Sequence, residues 1–360
     1  MPTRFALIGA LALVFSRCVL AQDTGQESAA ALLARAGLSA AGMWPVSPSN
    51  VPLWENLGAR EPEALGVLGA AYFQGTPSLQ RDSTLARKYA EQACGRGGDS
   101  GCAILAAIYQ AGDGVTQDYA LAAKYYGQGC DGDSATACAA LSQLHVQGQG
   151  VPKDLDKARG LAEKACSRRE QSCWGLGYLH LMGFGVARDP ARAVDLYQRA
   201  CGAGSAEACM RLGAVYHEGI GVGVDDAKAR GYLQAGCAGG AAMACRVHGI
   251  LLFKGSGGAP DPQAAERQFE RGCAGRDPPS CSLVATIFLD RGIPAELARA
   301  RELGTFACDS DITLGCTVLG VLLANGLGGE PDLPRARIVL RKACTAGDID
   351  GCRLAKEVAK

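Results

Sequence analysis

Apolar and polar positions along this 360-residue chain fall into two alternating blocks. From Gly101 through Ala111 the residues are small or apolar with a helical rhythm through Leu105, Ile108 and Tyr109, and Gly112-Asp113-Gly114 stops the run. This block predicts a largely buried helix, helix A, and its turn. A more polar block follows, opened by Asp118 and closed by Cys130, and it predicts a second helix, helix B. An acid at its start accepts hydrogen bonds from the free amides of the first turn and suits the helix dipole. The same acid recurs as Asp82, Asp118, Asp154, Asp189, Asp225, Asp261, Glu296 and Asp332, so the eight acids are expected as caps and not as catalysts. Four residues beyond each stands an alanine, at 86, 122, 158, 193, 229, 265, 300 and 336. A position that accepts only a methyl group marks the closest approach of two helix backbones, because a larger side chain would overpack it.

The punctuation repeats as faithfully as the helices. Gly-x-Gly returns as Gly148 and Gly150, Gly183 and Gly185, Gly219 and Gly221, Gly255 and Gly257, and Gly326 and Gly328. A phosphate-binding loop follows a strand and occurs once, so these glycines are expected to supply positive φ in turns. Sixteen cysteines fall into close pairs: Cys94 with Cys102, Cys130 with Cys138, Cys166 with Cys173, Cys201 with Cys209, Cys237 with Cys245, Cys273 with Cys281, Cys308 with Cys316, and Cys344 with Cys352. Successive first members lie 36, 36, 35, 36, 36, 35 and 36 residues apart. Such a period predicts an all-α solenoid of stacked helix pairs.

The seventeenth cysteine, Cys18, lies in a stretch that starts with Arg4, runs apolar from Phe5 to Phe15 and ends on Val19-Leu20-Ala21. That pattern predicts a secretory signal peptide over 1–21, and a periplasmic or secreted location, with no membrane span left in the mature chain. An even number of cysteines then remains in an oxidising compartment, which implies disulfides. Adjacent pairing is the connectivity that every repeat can make identically, and other connectivities stay open. Zinc ligation is disfavoured, since thiolate sites pair cysteines two to four residues apart. Residues 22–60 are expected to hold a helix over Glu27 to Gly42 and a linker over Pro45 to Pro52, with Trp44 and Trp54 docking on the first repeat. Eight helix A–helix B units are expected over 61–347 and a capping helix over 348–360, its Lys356, Glu357 and Lys360 suiting a polar end. Lys plus Arg equals Asp plus Glu at 36 each, which gives no net bias toward nucleic acid.

A helix A such as Leu212-Gly213-Ala214-Val215-Tyr216-His217-Glu218-Gly219-Ile220-Gly221-Val222, followed by Asp-x-x-x-Ala and a closing Ala-Cys as in Asp189 to Cys201, resembles a Sel1-like, TPR-like repeat. With its paired cysteines the chain is similar to the secreted branch typified by the Helicobacter cysteine-rich proteins. The resemblance implies a right-handed α/α superhelix whose concave, helix-A side binds peptides or proteins, and so a protein–protein interaction scaffold. Some members of that branch carry β-lactamase or penicillin-binding labels, which is the alternative, with a β-lactam or cell-wall fragment as its ligand. The chain has no Ser-x-x-Lys and no His-x-His-x-Asp, so no catalytic residue, metal site or cofactor is assigned.

Within helix A, positions three and six after the cysteine are nearly always aliphatic and position four is Ala, Ser or Gly. Positions one, five and eight vary and share a helical face. They read Trp174, Tyr178 and Leu181, then Met210, Ala214 and His217, then Arg246, Ile250 and Phe253. Trp174, Tyr178, Leu181, Met210, His217, Arg246 and Phe253 are therefore the candidate recognition face, with inter-repeat packing as the competing explanation. His145 and His180 stand where other repeats place Tyr, Leu or Phe, and they are expected in or near the core, as is His248.

Overall fold

The computed structural model describes residues 46–75 and 78–358. The expected signal segment, the helix over Glu27 to Gly42, Trp44 and Lys360 lie outside the described residues. Among the described residues there are eighteen α-helices and no strand, and no helix is long and apolar enough to cross a membrane. The chain divides into two compact units, with the boundary between Val224 and Asp225. The first holds α1 (Val51–Gly58), α2 (Pro62–Gln74), α3 (Ser83–Gly95), α4 (Asp99–Ala111), α5 (Tyr119–Asp131), α6 (Ala135–Gln147), α7 (Leu155–Arg168), α8 (Cys173–Met182), α9 (Pro190–Gly202) and α10 (Ala206–Glu218). The second holds α11 (Asp226–Ala238), α12 (Ala242–Lys254), α13 (Pro262–Ala274), α14 (Pro278–Arg291), α15 (Pro294–Asp309), α16 (Thr313–Ala324), α17 (Leu333–Thr345) and α18 (Ile349–Val358). Even-numbered helices are helix A and odd-numbered ones from α3 onward are helix B. Within each unit, every helix packs chiefly on its sequence neighbours, the pattern of stacked α/α pairs.

Within each unit, helix A and helix B of a pair meet nearly backbone to backbone. All eight periodic alanines, from Ala86 to Ala336, are fully buried. Within each unit the small residue of helix A faces them. Ser142 Oγ of α6 donates to the carbonyl oxygen of Ala158 at 2.6 Å. A Cβ on Gly249 of α12 would lie 3.1 Å from the carbonyl oxygen of Ala265 and 2.6 Å from the Phe269 ring. A larger side chain on either helix would force the pair apart. In α18 the equivalent residue is Lys356, which is exposed.

The caps follow the aspartates. Seven of them, Asp82, Asp118, Asp154, Asp189, Asp225, Asp261 and Asp332, accept from amides of their own first turn. Glu296 does not. Its helix, α15, begins at Pro294 with Ile293 at the cap, and Glu296 sits inside the first turn, paired with Arg291 at 2.8 Å. Here Gly292-Ile293-Pro294 replaces the Gly-x-Gly loop, and proline starts the helix early because its fixed φ suits the first helical position and it has no amide to leave unsatisfied.

Eight disulfides join the last turn of a helix B to the beginning of the following helix A, in the adjacent pairing. In the first unit Cys94 bonds to Cys102, Cys130 to Cys138, Cys166 to Cys173 and Cys201 to Cys209. In the second Cys237 bonds to Cys245, Cys273 to Cys281, Cys308 to Cys316 and Cys344 to Cys352. Their Cα atoms lie 4.2–4.7 Å apart, so the cysteines that spacing alone left open to other connectivities are each bridged to the near neighbour. Closing a loop of this size restricts the unfolded chain by roughly 2–3 kcal/mol in the entropic account. The third residue after the first cysteine takes positive φ whether it is glycine, as Gly97 or Gly204, or Asp133, Arg276 or Asp311. The loop between Cys166 and Cys173 has one residue fewer and makes a different turn: Arg169 is extended and a 3-10 turn covers Glu170–Ser172.

The stretch expected as a linker has no regular element over residues 46–50 and runs into α1 at Val51. Trp54 is fully buried with Val46 against Leu65, Leu68 and Tyr89. The Tyr89 hydroxyl donates to Glu55 at 2.6 Å, and Arg96 donates to the carbonyls of Gly58 and Ala59 at 2.6 and 2.8 Å, closing the end of α1. Pro52 at the helix start explains why a proline-containing segment is helical here.

In the Gly-x-Gly turns both glycines have positive φ, 69° at Gly148 and 68° at Gly150. They differ in what surrounds them. A Cβ on Gly148 would find its nearest atom, Lys153 Cβ, at 3.3 Å, whereas one on Gly150 would overlap the Tyr119 carbonyl at the start of α5. Gly148→Ala is therefore expected to cost about 1–2 kcal/mol, from backbone conformation alone. Gly150→Ala is expected to cost clearly more, because two repeats must also move apart. Urea denaturation of the two variants with disulfides intact checks this order, and equal losses would remove the close-approach argument.

Candidate functional site

The candidate face does not present itself as one exposed stripe. In the first unit Trp174 (6% exposed), Tyr178, Leu181 and Met210 are buried, and His217 is half-buried. In the second unit Arg246 is half-buried and Phe253 is 61% exposed. The four buried side chains are packing elements of their helices, in keeping with the competing explanation. Arg246 Nε donates to Asp277 Oδ2 at 2.9 Å, and the same carboxylate accepts from Ser280 N and Oγ, so α12 is tied to the cap of α14. Phe253 is the large apolar side chain of the stripe that reaches solvent.

A buried charge cluster explains the size of Trp174 and Tyr178. Arg211 of α10 forms an ion pair with Glu207 at 2.6 Å, and both are buried. The guanidinium carbon lies 5.0 Å from the Trp174 ring centroid and 5.2 Å from that of Tyr178. Burial pulls the Arg211 pKa down, but Glu207, then Tyr197 and Tyr178, outweigh it and hold the residue charged. The carboxylate and the negative faces of two rings thus replace water around the cation. The signal for this cluster was present in the sequence as a Glu–Arg pair at i,i+4 inside an otherwise apolar helix A.

Two carboxyl groups are shifted upward. Glu218, at the end of α10, has both carboxylate oxygens buried without a hydrogen-bond partner among the described residues. Burial pushes its pKa up to about 7, against an opposing effect of His217. Asp99 is pushed up to about 6 by burial, with Glu63 and Asp133 adding to the effect. His145 is buried with Nδ1 3.2 Å from the Pro152 carbonyl, His180 is half-buried, and His248 is buried, its pKa lowered by burial first and Arg230 second. No group of three or more His, Cys, Asp or Glu residues among the described residues is arranged to hold a metal ion.

Stacked helix pairs with one disulfide between each helix B and the next helix A define a stapled α/α repeat protein. The chain belongs to the Sel1 repeat family, which matches at residues 62–98, 100–134, 135–169, 171–205, 206–240, 242–275 and 313–348. The unmatched interval, 276–312, is where α15 starts early and lacks both the glycine turn and the aspartate cap. A Sel1 repeat protein from Oxalobacter formigenes shares 21% identity and a TM-score of 0.54, covering 85% of this chain and 89% of its own. A protective antigen of uropathogenic Escherichia coli shares 22% identity and a TM-score of 0.39, with coverages of 85% and 81%. An immunity protein from Pseudomonas aeruginosa shares 20% identity and a TM-score of 0.46, with coverages of 60% and 82%. No curated protein sequence matches the chain.

Trp174→Ala is expected to lower stability by about 3–5 kcal/mol, since it opens a cavity and uncovers one face of a buried cation. Urea denaturation followed by far-UV circular dichroism measures it, and a loss below about 1 kcal/mol would place Trp174 outside the packed core. Glu218 gives a pH signature. Its folded pKa, about 7, lies above the ordinary value of 4.5, so the folded state binds the extra proton between these values. Stability conferred by the protonated form is fully present below pH 4.5 and is lost as pH rises through 7. The caps Asp154 and Asp225 are shifted downward by backbone hydrogen bonds from Lys157 and Lys228, and they lose their contribution only in more acid solution. Glu218→Gln should raise the melting temperature at about pH 8 and flatten its fall between about pH 5 and 8. A slope identical to that of the unmodified chain would show that Glu218 does not titrate in this window.

Proposed function

We propose that this chain is a periplasmic or secreted scaffold that holds a protein or peptide partner on its helix-A face, with Phe253 as an anchor. Sel1 repeats generally mediate protein interactions, and eight disulfides are the chemistry of an oxidising, extracytoplasmic environment. The observation that carries the choice of face is the 61% exposure of Phe253 at a stripe position where Leu181 is buried. Exposing an aromatic side chain on a helix whose other large apolar residues are packed has no folding rationale, while aromatic anchors are enriched in binding hot spots. Arg246 and His217, both half-buried, supply polar neighbours on their own helices. No observation favours the hydrolytic alternative.

Phe253→Ala is expected to reduce recovery of the partner about tenfold in a crosslinking pull-down from the native compartment, with far-UV helicity and melting temperature unchanged. Undiminished recovery would move the binding site off this stripe.

A further inference from the structure

The outward face of α17 departs from every other helix B. Six residues after the periodic acid the chain carries Lys, Gly, Asp, Arg or Glu in α3, α5, α7, α9, α11, α13 and α15, and in α17 it carries Ile338, 67% exposed. A lone exposed aliphatic is ordinary. This one sits among Arg335, Arg341 and Lys342, three and four residues away on the same helical face and all exposed. Alone among these B helices, α17 contains no Asp or Glu. Four other B helices each hold at least one cation paired with a carboxylate of the same helix, as in Arg87–Glu91, Arg159–Glu163, Arg192–Asp195 and Arg299–Glu302. Lys342 reaches Asp311 at 2.7 Å. Arg335 and Arg341 have no carboxylate within ion-pair distance among the described residues.

We propose that this face docks an acidic segment of a partner protein, which sets an apolar side chain on Ile338 and carboxylates on Arg335 and Arg341. Arginine presents a planar fork that binds carboxylates bidentately and is enriched at interfaces, and a central aliphatic ringed by cations has the layout of an interface core with its polar rim. A membrane is the poorer fit. Surface-lying helices need an apolar stripe facing lipid, and here exposed Leu333 lies five residues before Ile338, off its face, while Val339, Leu340 and Ala343 are buried in the protein. A second copy of the chain is also a poorer fit, because its other B helices carry charges of both signs. The site uses a helix B face and does not depend on the helix-A reading.

The test titrates a fluorescein-labelled helical peptide of glutamate and leucine into the full chain and follows anisotropy. Parallel arms use an all-glutamate peptide and phosphatidylglycerol vesicles. Saturable binding of the mixed peptide is expected, weakened about tenfold by Ile338→Ser and at least as much by Arg341→Glu. Lys124→Ser, at the same register in α5, should bind normally, and so should Phe253→Ala, which separates this site from the helix-A face. Several results would overturn the proposal: no binding, equal binding of the all-glutamate peptide, indifference to Ile338→Ser, or binding to vesicles with none to peptide.

Discussion

The close contact between a small residue of helix A and the alanine of helix B governs the geometry of the repeats within each unit. With Gly, Ala or Ser on one side and a methyl group on the other, the two backbones approach until the Ser142 hydroxyl can bond directly to the Ala158 carbonyl. That separation determines where the connecting turn passes. The second glycine of the Gly-x-Gly turn comes to rest on the first residues of the preceding helix B, as Gly150 does on Tyr119 and Gly221 on Pro190. It also brings the end of helix B to the start of the next helix A at a separation a cystine can span, as where Cys94 meets Cys102 or Cys201 meets Cys209.

Local departures are tolerated wherever that contact survives. The pair α14–α15 has lost its glycine turn and its aspartate cap, yet Ala300 is fully buried and Cys308 is still bridged to Cys316. Sequence similarity to the family fails over 276–312 because turn and cap residues contribute much of the repeat signature, while the packing that holds the helices is carried by alanine, glycine and cysteine. Asp133, Arg276 and Asp311 make the same point in the short loops. Each adopts a left-handed conformation normally left to glycine because the flanking disulfide and helices determine the path.

Periodic features were legible in the sequence because each repeat reports the same constraint. Eight alanines, seven aspartate caps, the glycine turns and the cysteine pairs all occupy the places their spacing implied. Glu296 misled because an acid at the right spacing resembles a cap, and only the proline two residues earlier shows that the helix has already begun. The Pro45–Pro52 stretch overlaps α1 only at Val51 and Pro52, where proline opens the helix. The stripe at Trp174, Tyr178, Leu181 and Met210 misled for another reason. Variation between repeats was read as freedom from packing, whereas the interior itself varies there: a buried Arg211 in one helix demands ring faces from the helix beside it.

That distinction bears on where binding belongs in such a protein. Inward positions vary in concert with the positions they touch, so a large or unusual residue there has a packing explanation, as Trp174 does. Outward positions are under no such requirement and are kept polar by solubility alone. An outward position that turns apolar in one repeat, with its neighbours altered in the same repeat, has neither explanation. Phe253 stands at a register that is apolar and buried in other repeats, as at Val146 and Leu181, and differs by its exposure, whereas Ile338, surrounded by cations that its own helix does not neutralise, meets both parts of this criterion. Both proposed contacts therefore rest on irregularities of the surface, while an irregularity of the interior such as Arg211 is answered by its packing neighbours Trp174 and Tyr178.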